Sequence, residues 1–298
     1  MKRKVIQIAD KTLVVSLPNS WAKEWGVVKG NELDVSESGS SLIVRTGEHR
    51  DLRKGKIDVS SSSERSLRWL LSSLHKKGYD EIEILCTVEQ SKIIDELLKD
   101  LFLGFAVVHR SGNLCVIRSL SKELDDQLDV IVRRAFLVTL SLAEQCAIAC
   151  KNKKFDDLKS IVDLEKTNNQ LTNFCERLLN KRGMADPLKT NFLYVVVWNL
   201  EKVADDYKYI CNHLAKSQKI SASSLNLLDR INVLLRKYYE LFYKFDAELL
   251  SVLSDEFKLL RVDIEKLMVK DDPVLLAHFL HLVLKCADFS SSTFALND

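Results

Sequence analysis

The sequence predicts a mainly α-helical protein with a small β-rich domain at its N-terminus. Two observations support this fold class. The first fifty residues alternate short β-rich runs with turn residues, whereas residues 121–295 carry apolar side chains at helical spacing, and the 298-residue chain contains only 9 Gly and 3 Pro. We therefore divide the chain into an N-terminal domain at 1–50, a small α/β module at 51–119 and a helical region at 120–298.

Composition and charge indicate no particular partner for the chain as a whole. Hydrophobic residues make up 46% and charged residues 29%, and the formal net charge is +2, so any basic surface has to be local. The seven cysteines include no C-x-x-C pair and mostly occupy apolar positions, which is typical of reduced core residues. The N-terminus has no apolar signal core, and no charge-free run reaches the length of a membrane helix. We expect a cytoplasmic protein without membrane insertion.

The sequence of the N-terminal domain predicts four short strands and one short helix. The strands are expected at residues 5–8, 13–17, 32–36 and 41–46, with turns at 9–11 and 38–40. Pro18 ends the second strand, Asn19 or Ser20 is expected to cap the helix, and Gly26 ends it in the left-handed conformation. Because fifty residues form only a thin core, we expect this domain to self-associate.

The order of these elements carries a family resemblance. A strand ending in VVSLP, a helix ending in WG and the run VKGNELDV together resemble the AbrB/SpoVT family. The resemblance implies a swapped-hairpin barrel, formed by two chains, that binds DNA through basic residues near its first hairpin and helix. The matching basic residues here are Lys2, Arg3, Lys4, Lys11 and Lys23. Leu13-Val14 replaces the family's usual Gly-Arg, so base-specific contacts are less expected than contacts with backbone phosphates. The alternative is that these side chains only solvate a dimerisation domain.

The sequence at 51–119 predicts a small α/β module with two helices and several strands. Two of the strands are expected to form a hairpin about Ser111-Gly112-Asn113. The module contains no phosphate-binding loop, no paired acid and base and no metal-ligand spacing. Its histidines, His75 and His109, are isolated in the sequence, and such histidines are usually structural. We expect a spacer or a scaffold that binds no ligand.

The sequence of the helical region predicts six helices and contains an internal repeat. The helices are expected at about 121–152, 154–182, 187–217, 222–252, 254–270 and 273–295. A shift of 83 positions aligns Val203-Ala204-Asp205 with Cys286-Ala287-Asp288, which indicates two three-helix repeats at about 120–218 and 221–298. The short connections between the helices predict two antiparallel bundles.

The third of these helices has an acidic edge beside its apolar seam. Apolar residues recur every seven positions from Leu193 to Leu214. Glu201 and Asp205, four residues apart, share one helical face, and Asp206 lies beside them. One interpretation is an oxygen-ligand site for a metal ion. The other is an acidic flank that pairs with a partner's basic patch or with the nearby lysines, Lys202 and Lys208.

The helical region resembles the PhoU family of phosphate-signalling proteins, which consist of two three-helix repeats. The family motif L-E-x-x-x-D matches Leu200–Asp205. The resemblance implies that a divalent or trivalent metal ion binds the first repeat, with ligands Glu201, Asp205, Glu165 and Asn169. In the second repeat Asp263 and Asp288 match the family, but leucines at 259 and 284 replace the other carboxylates. A hard cation prefers several oxygen ligands, so the first repeat is the expected place for an ion.

The last predicted helix adds a second pair of potential ligands. His278 and His281 form an H-x-x-H pattern on one helical face, one turn before Leu284. This pattern is compatible with a rebuilt metal site of softer preference. The alternative is two histidines that are packed and hydrogen-bonded in the helical core.

Three classes of function follow from these residues. The first is a DNA-binding transcriptional regulator of phosphate uptake and homeostasis, whose helical half senses phosphate status through a partner or a metal ion. The second is an interaction protein that does not bind DNA, negatively regulates a phosphate transporter or its sensor kinase, and uses the barrel only to form a homodimer. The third is a metalloenzyme, which is disfavoured because nothing supplies a nucleophile, a positioned base or a substrate pocket. The two resemblances together favour the first class.

Overall fold

The structure, a computed structural model, describes residues 1–8, 11–38, 40–46, 52–120, 127–184 and 186–297. It divides into two compact units, Met1–Leu52 and Arg53–Asp298, and each is described by itself. The predicted fold class is confirmed: the chain is mainly helical, and a small strand region lies at its N-terminus.

The N-terminal unit contains two separate β-hairpins and one short helix. Its elements are β1 (Val5–Ile8), β2 (Thr12–Val15), α1 (Asn19–Glu24), β3 (Leu33–Ser38) and β4 (Ser41–Thr46). β1 pairs antiparallel with β2, and β3 pairs antiparallel with β4. The expected turn residues Ala9, Asp10 and Gly39 lie outside the described residues.

The N-cap of the short helix lies one residue before the first of its two expected positions. Pro18, in extended conformation, occupies the N-cap, and no side chain caps the helix, so the expectation of a cap at Asn19 or Ser20 is wrong. The reason is that Asn19 and Ser20 already have helical backbone conformation. Gly26 has a φ of 61°, the left-handed conformation expected at the helix end.

The α/β module forms a four-stranded sheet with two helices. Its elements are β5 (Lys54–Asp58), α2 (Glu64–Lys76), β6 (Glu81–Leu85), α3 (Val88–Asp100), β7 (Phe105–Ser111) and β8 (Leu114–Ser119). The strand order is β5-β6-β8-β7, with β5 and β6 parallel and the other pairs antiparallel. Ser63 caps α2, and Thr87 with Gln90 forms a capping box on α3. Leu67, Ile82 and their neighbours form a separate hydrophobic core within the module.

The helical region has two groups of three long helices. Its α-helices are α4 (Leu128–Lys151), α5 (Leu158–Ile161), α6 (Asp163–Arg182), α7 (Pro187–Ser217), α8 (Ala222–Tyr243), α9 (Ala247–Met268) and α10 (Pro273–Asn297). α4, α6 and α7 pack against one another, as do α8, α9 and α10. α7 packs along α10, and α4 packs against α8, so the two groups share one hydrophobic core.

Three predicted helices differ from the observed ones. The helix expected at 154–182 is divided into a 3₁₀ turn at Phe155–Asp157, then α5 and α6, because Val162 forms a turn between them and its carbonyl accepts from the Glu165 N–H. The break expected near residue 253 lies instead between α8 and α9. Asp246 causes this shift, since its carboxylate accepts from the backbone N–H of Leu249 at 2.8 Å and caps α9. Residues 121–126, expected to begin the first long helix, lie outside the described residues.

A buried ion pair fixes the α/β module on the helical region. The Arg177 guanidinium, on α6, is 1% exposed and donates to Asp80 Oδ1 at 2.6 Å. It also donates to the carbonyls of His75 and Tyr79, at 3.0 and 2.6 Å. Lys181 pairs with the same carboxylate. These contacts join the α/β module to α6 of the helical region.

The last helix is long and apolar enough to cross a membrane, judged by length and composition alone. A core helix of a soluble protein meets the same criterion. α10 packs against α7, α8 and α9, and Leu276, Phe279 and Leu282 on it are fully buried in the shared core. Its apolar composition is therefore explained by this packing.

Candidate functional site

The N-terminal unit presents its basic residues to solvent. All five predicted DNA-contacting residues are exposed, and none forms an ion pair within the described part of the chain: Lys2, Arg3, Lys4, Lys11 and Lys23. Lys2, Arg3 and Lys4 precede β1, and Lys11 immediately precedes β2 at the other end of the same hairpin. The four-residue strand separates the two ends by about 10 Å, so one chain presents two basic patches.

The strands of this unit also expose apolar side chains. Seven are between 51% and 69% exposed: Val5, Ile6, Ile8, Leu13, Val15, Val35 and Leu42. They lie on β1, β2, β3 and β4, which form two sheets of only two strands each. A two-stranded hairpin is marginally stable in water, and an apolar sheet face normally packs on another element. This unit therefore has exposed apolar surface on all four of its strands.

The structure brings the predicted first-repeat ligands together around lysine side chains. Lys208 Nζ lies 2.6 Å from Glu165 Oε1, on α6, and 2.6 Å from Asp205 Oδ1, on α7. Lys202 Nζ lies 3.1 Å from Glu201 Oε1 and 3.2 Å from Asp205 Oδ2. Two ammonium groups thus occupy positions between the carboxylates. This geometry is that of the second interpretation, an acidic flank paired with its neighbouring lysines.

The charges in this cluster support that pairing. Burial raises the pKa of Glu165. Burial also opposes ionisation of Asp205, but the hydrogen bond and the charge of Lys208 outweigh it and lower the pKa of this carboxyl. Asn169 donates its amide N–H to Glu165 Oε1 at 2.7 Å, so it directs nitrogen rather than oxygen toward the cluster. A metal ion here would have to displace Lys208.

The two predicted residues of the second repeat have other surroundings. Asp263 accepts from Arg230 Nη1 at 2.7 Å, and Asp288 is exposed on α10. Among the residues that the structure describes, neither belongs to a group of three potential metal ligands.

One such group does lie between α7 and α10, formed by Asp206, His278 and His281. His278 Nδ1 is 3.1 Å and His281 Nδ1 is 3.5 Å from Asp206 Oδ1. The three potential ligand atoms all lie within 4.8 Å of one another. Their proximity has a simple origin, since histidines three residues apart share one face of α10, and α10 packs along α7. We call this group the Asp206–His278–His281 triad.

The surroundings of the triad keep its carboxylate charged. The Asp206 side chain is 4% exposed, and its second oxygen, Oδ2, accepts from Lys285. Burial opposes ionisation of Asp206, but the hydrogen bonds from His278 and Lys285 outweigh it and lower its pKa. The ring of Tyr209 stacks on His278 with a centroid distance of 5.4 Å. The triad therefore combines a carboxylate that favours its ionised form, an imidazole held by a hydrogen bond and by Tyr209, and the more exposed imidazole of His281.

Comparisons with known proteins identify no relative of this chain. No family model, no curated protein and no solved structure matches it.

Proposed function

We propose that the chain is a homodimeric, DNA-binding transcriptional regulator. One observation carries this proposal: the N-terminal unit combines five exposed basic residues with exposed apolar strands. Duplex DNA carries one negative charge per about 1.7 Å of its axis, so unpaired lysine and arginine side chains suit its phosphates. A second copy, joined as a swapped-hairpin barrel, would cover the apolar strands and double the number of basic groups.

The input to this regulator is proposed to come through the helical region. Its resemblance to the PhoU family supports a role in phosphate uptake and homeostasis, in which the helices sense phosphate status through a partner or a metal ion. The alternative is an interaction protein that negatively regulates a phosphate transporter or its sensor kinase. In that alternative the barrel forms the homodimer but does not bind DNA, and this difference can be measured.

Replacing Lys2, Arg3, Lys4 and Lys11 together with alanine is expected to weaken binding to the DNA upstream of the protein's own coding sequence. The slope of log K against log salt should flatten by about 0.9 for each phosphate that is no longer neutralised. Fluorescence anisotropy across a salt series measures both quantities. The matched control replaces four exposed lysines of the second unit with alanine, an equal change in charge: Lys154, Lys216, Lys244 and Lys270. This control should bind as the unchanged protein does.

Sedimentation of the same variants shows whether each is still a dimer. A dimeric N-terminal variant with unchanged affinity and salt slope would contradict DNA binding and favour the transporter or kinase alternative. Equal weakening in both variants would indicate that overall charge, rather than the N-terminal unit, determines binding.

A divalent or trivalent cation at the first repeat belongs to the same proposal, with Glu201, Asp205, Glu165 and Asn169 as ligands. Lys208 is the competitor that such an ion must displace. At about 4 Å, a unit charge repels a divalent ion by about 2 kcal/mol even in water, so Lys208→Ala should tighten Mn²⁺ binding at least about tenfold. The double variant Glu201→Gln, Asp205→Asn should bind no ion there.

Isothermal titration with Mn²⁺, together with elemental analysis of protein purified without chelator, tests this expectation. Lys216→Ala, which removes an exposed lysine from the same helix, is the matched control and should leave Mn²⁺ affinity unchanged. If no ion binds to the unchanged protein or to Lys208→Ala, the acidic edge is a packing or partner surface.

A further inference from the structure

We propose that the Asp206–His278–His281 triad binds one divalent transition-metal ion, of which Zn²⁺ is the representative. This site differs in place and chemistry from the oxygen-ligand site of the first repeat, and it does not depend on the proposal of DNA binding. Three observations carry it: the spacing of the ligand atoms, the environment of the carboxylate and the exposure of one histidine.

The two distances from Asp206 Oδ1 are close to those between ligand atoms in tetrahedral coordination, and all three ligand atoms lie within 4.8 Å of one another. Zn–N bonds are about 2.0–2.1 Å and Zn–O bonds about 2.0–2.2 Å, so two ligand atoms of a tetrahedral site are about 3.3–3.5 Å apart. His278 Nδ1 and His281 Nδ1 lie 3.1 and 3.5 Å from Asp206 Oδ1. An ion can therefore contact all three atoms after small side-chain movements.

The environment of Asp206 favours its use as a ligand through one oxygen. Lys285 binds Oδ2 and also donates to the Lys202 carbonyl at 3.3 Å, so the ammonium is tied to both the carboxylate and the α7 backbone. Carboxylates that coordinate metals usually have their other oxygen hydrogen-bonded, which fixes their orientation. Oδ1 is thereby directed at the two imidazoles.

The histidines determine access and metal preference. The His281 side chain is 55% exposed, whereas His278 is 22% exposed and packed on Tyr209. The ion would reach the site from the His281 side and keep a water molecule as its fourth ligand. Two imidazoles and one carboxylate suit Zn²⁺ and related transition metals, whereas Mg²⁺ prefers oxygen ligands.

The competing explanation is a triad without a metal ion, in which His278 Nδ1 donates to Asp206 Oδ1 and His281 only lies near the same oxygen. Metal binding requires Nδ1 of both rings to be deprotonated. Such an ion would also join α7 to α10, and so link the two groups of three helices. The two explanations differ in a direct way, because only the metal site takes up Zn²⁺ in a fixed ratio.

Titration of full-length, tag-free protein, first stripped with chelator, distinguishes them. Zn²⁺ is expected to bind at one ion per chain, and Mg²⁺ at the same concentrations should not compete with it. His278→Asn with His281→Asn should weaken Zn²⁺ binding by more than about 100-fold, since removal of an outer-shell partner alone costs about 10- to 100-fold. The control His109→Asn removes an exposed histidine from the α/β module and should bind Zn²⁺ normally.

Two further measurements complete the test. Co²⁺ should give visible absorption bands typical of tetrahedral coordination in the unchanged protein and not in the double histidine variant. The double variant Glu201→Gln, Asp205→Asn should retain Zn²⁺ binding, which separates this site from that of the first repeat. No stoichiometric Zn²⁺ binding in the unchanged protein, or equal binding in a folded double histidine variant as judged by circular dichroism, would overturn the proposal.

Discussion

Replacing Asp80 with alanine is expected to lower the free energy of unfolding by about 3–5 kcal/mol, the usual cost of removing one partner from a buried ion pair. Arg177 is 1% exposed and donates to Asp80 Oδ1 at 2.6 Å. Without that carboxylate, the buried guanidinium loses a hydrogen-bonded counter-charge, and Lys181 loses the same partner. The backbone N–H of Arg53 is also deprived of its acceptor, Asp80 Oδ2 at 3.0 Å.

The matched control for this substitution is Asp95→Ala. Asp95 pairs with Arg110 at 2.7 Å in the same module, but the two side chains are 53% and 39% exposed. Exposed pairs contribute about 0–1 kcal/mol, so this control should unfold almost as the unchanged protein does. Urea unfolding followed by circular dichroism gives both free energies. An equally small effect at Asp80 would mean that water or other acceptors compensate both cations that pair with this carboxylate, Arg177 and Lys181.

Local signals in the sequence predicted much of the secondary structure. α7 spans Pro187–Ser217, as expected, because Asp186 caps it and proline suits the first helical turn. The apolar residues that recur from Leu193 to Leu214 are buried, because a seven-residue repeat places them on one side of the helix. Such signals act between residues that are close in the sequence, so they can be read from the sequence alone.

A helix end could not be predicted in the same way where two local signals compete. Tyr243 and Phe245 continue the apolar pattern of α8, yet the helix ends at Tyr243 because Asp246 caps the following helix. The sequence pattern contained both signals and did not indicate which would prevail. The position of the break therefore depends on the relative free energies of continuing α8 and of capping α9, which the sequence pattern does not give.

Contacts between distant residues were the least predictable part of the candidate site. The sequence indicated His278 and His281 as a possible pair of ligands, and it placed Asp206 on an acidic edge. It did not indicate that Asp206 lies beside the two histidines. Asp206 lies 72 residues from His278, and only the packing of α7 along α10 brings them together. The internal repeat was the available signal, because it aligns α7 with α10, and these two helices pack on each other. Arg177 and Asp80, 97 residues apart, had no such signal.

His75 is expected to make the protein less stable in mild acid. It is completely buried against Phe102, and its pKa lies well below the usual value because burial, and then the charges of Arg177 and Lys76, disfavour the imidazolium. The unfolded chain takes up a proton at this residue below about pH 6.5, whereas the folded chain does not. The free energy of unfolding should therefore fall by about 1.4 kcal/mol per pH unit below pH 6.5, until the folded pKa is reached.

The variant His75→Leu removes this titration, because it replaces the imidazole with an apolar side chain of similar volume. Its free energy of unfolding, measured in urea at pH 7.5, 6.5 and 5.5, should fall less steeply with acid than that of the unchanged protein. His109→Leu, which removes an exposed histidine from the same module, should retain the acid sensitivity that His75 causes. Parallel pH profiles for the unchanged protein and His75→Leu would show that His75 takes up its proton equally in both states, which its burial beside Arg177 opposes.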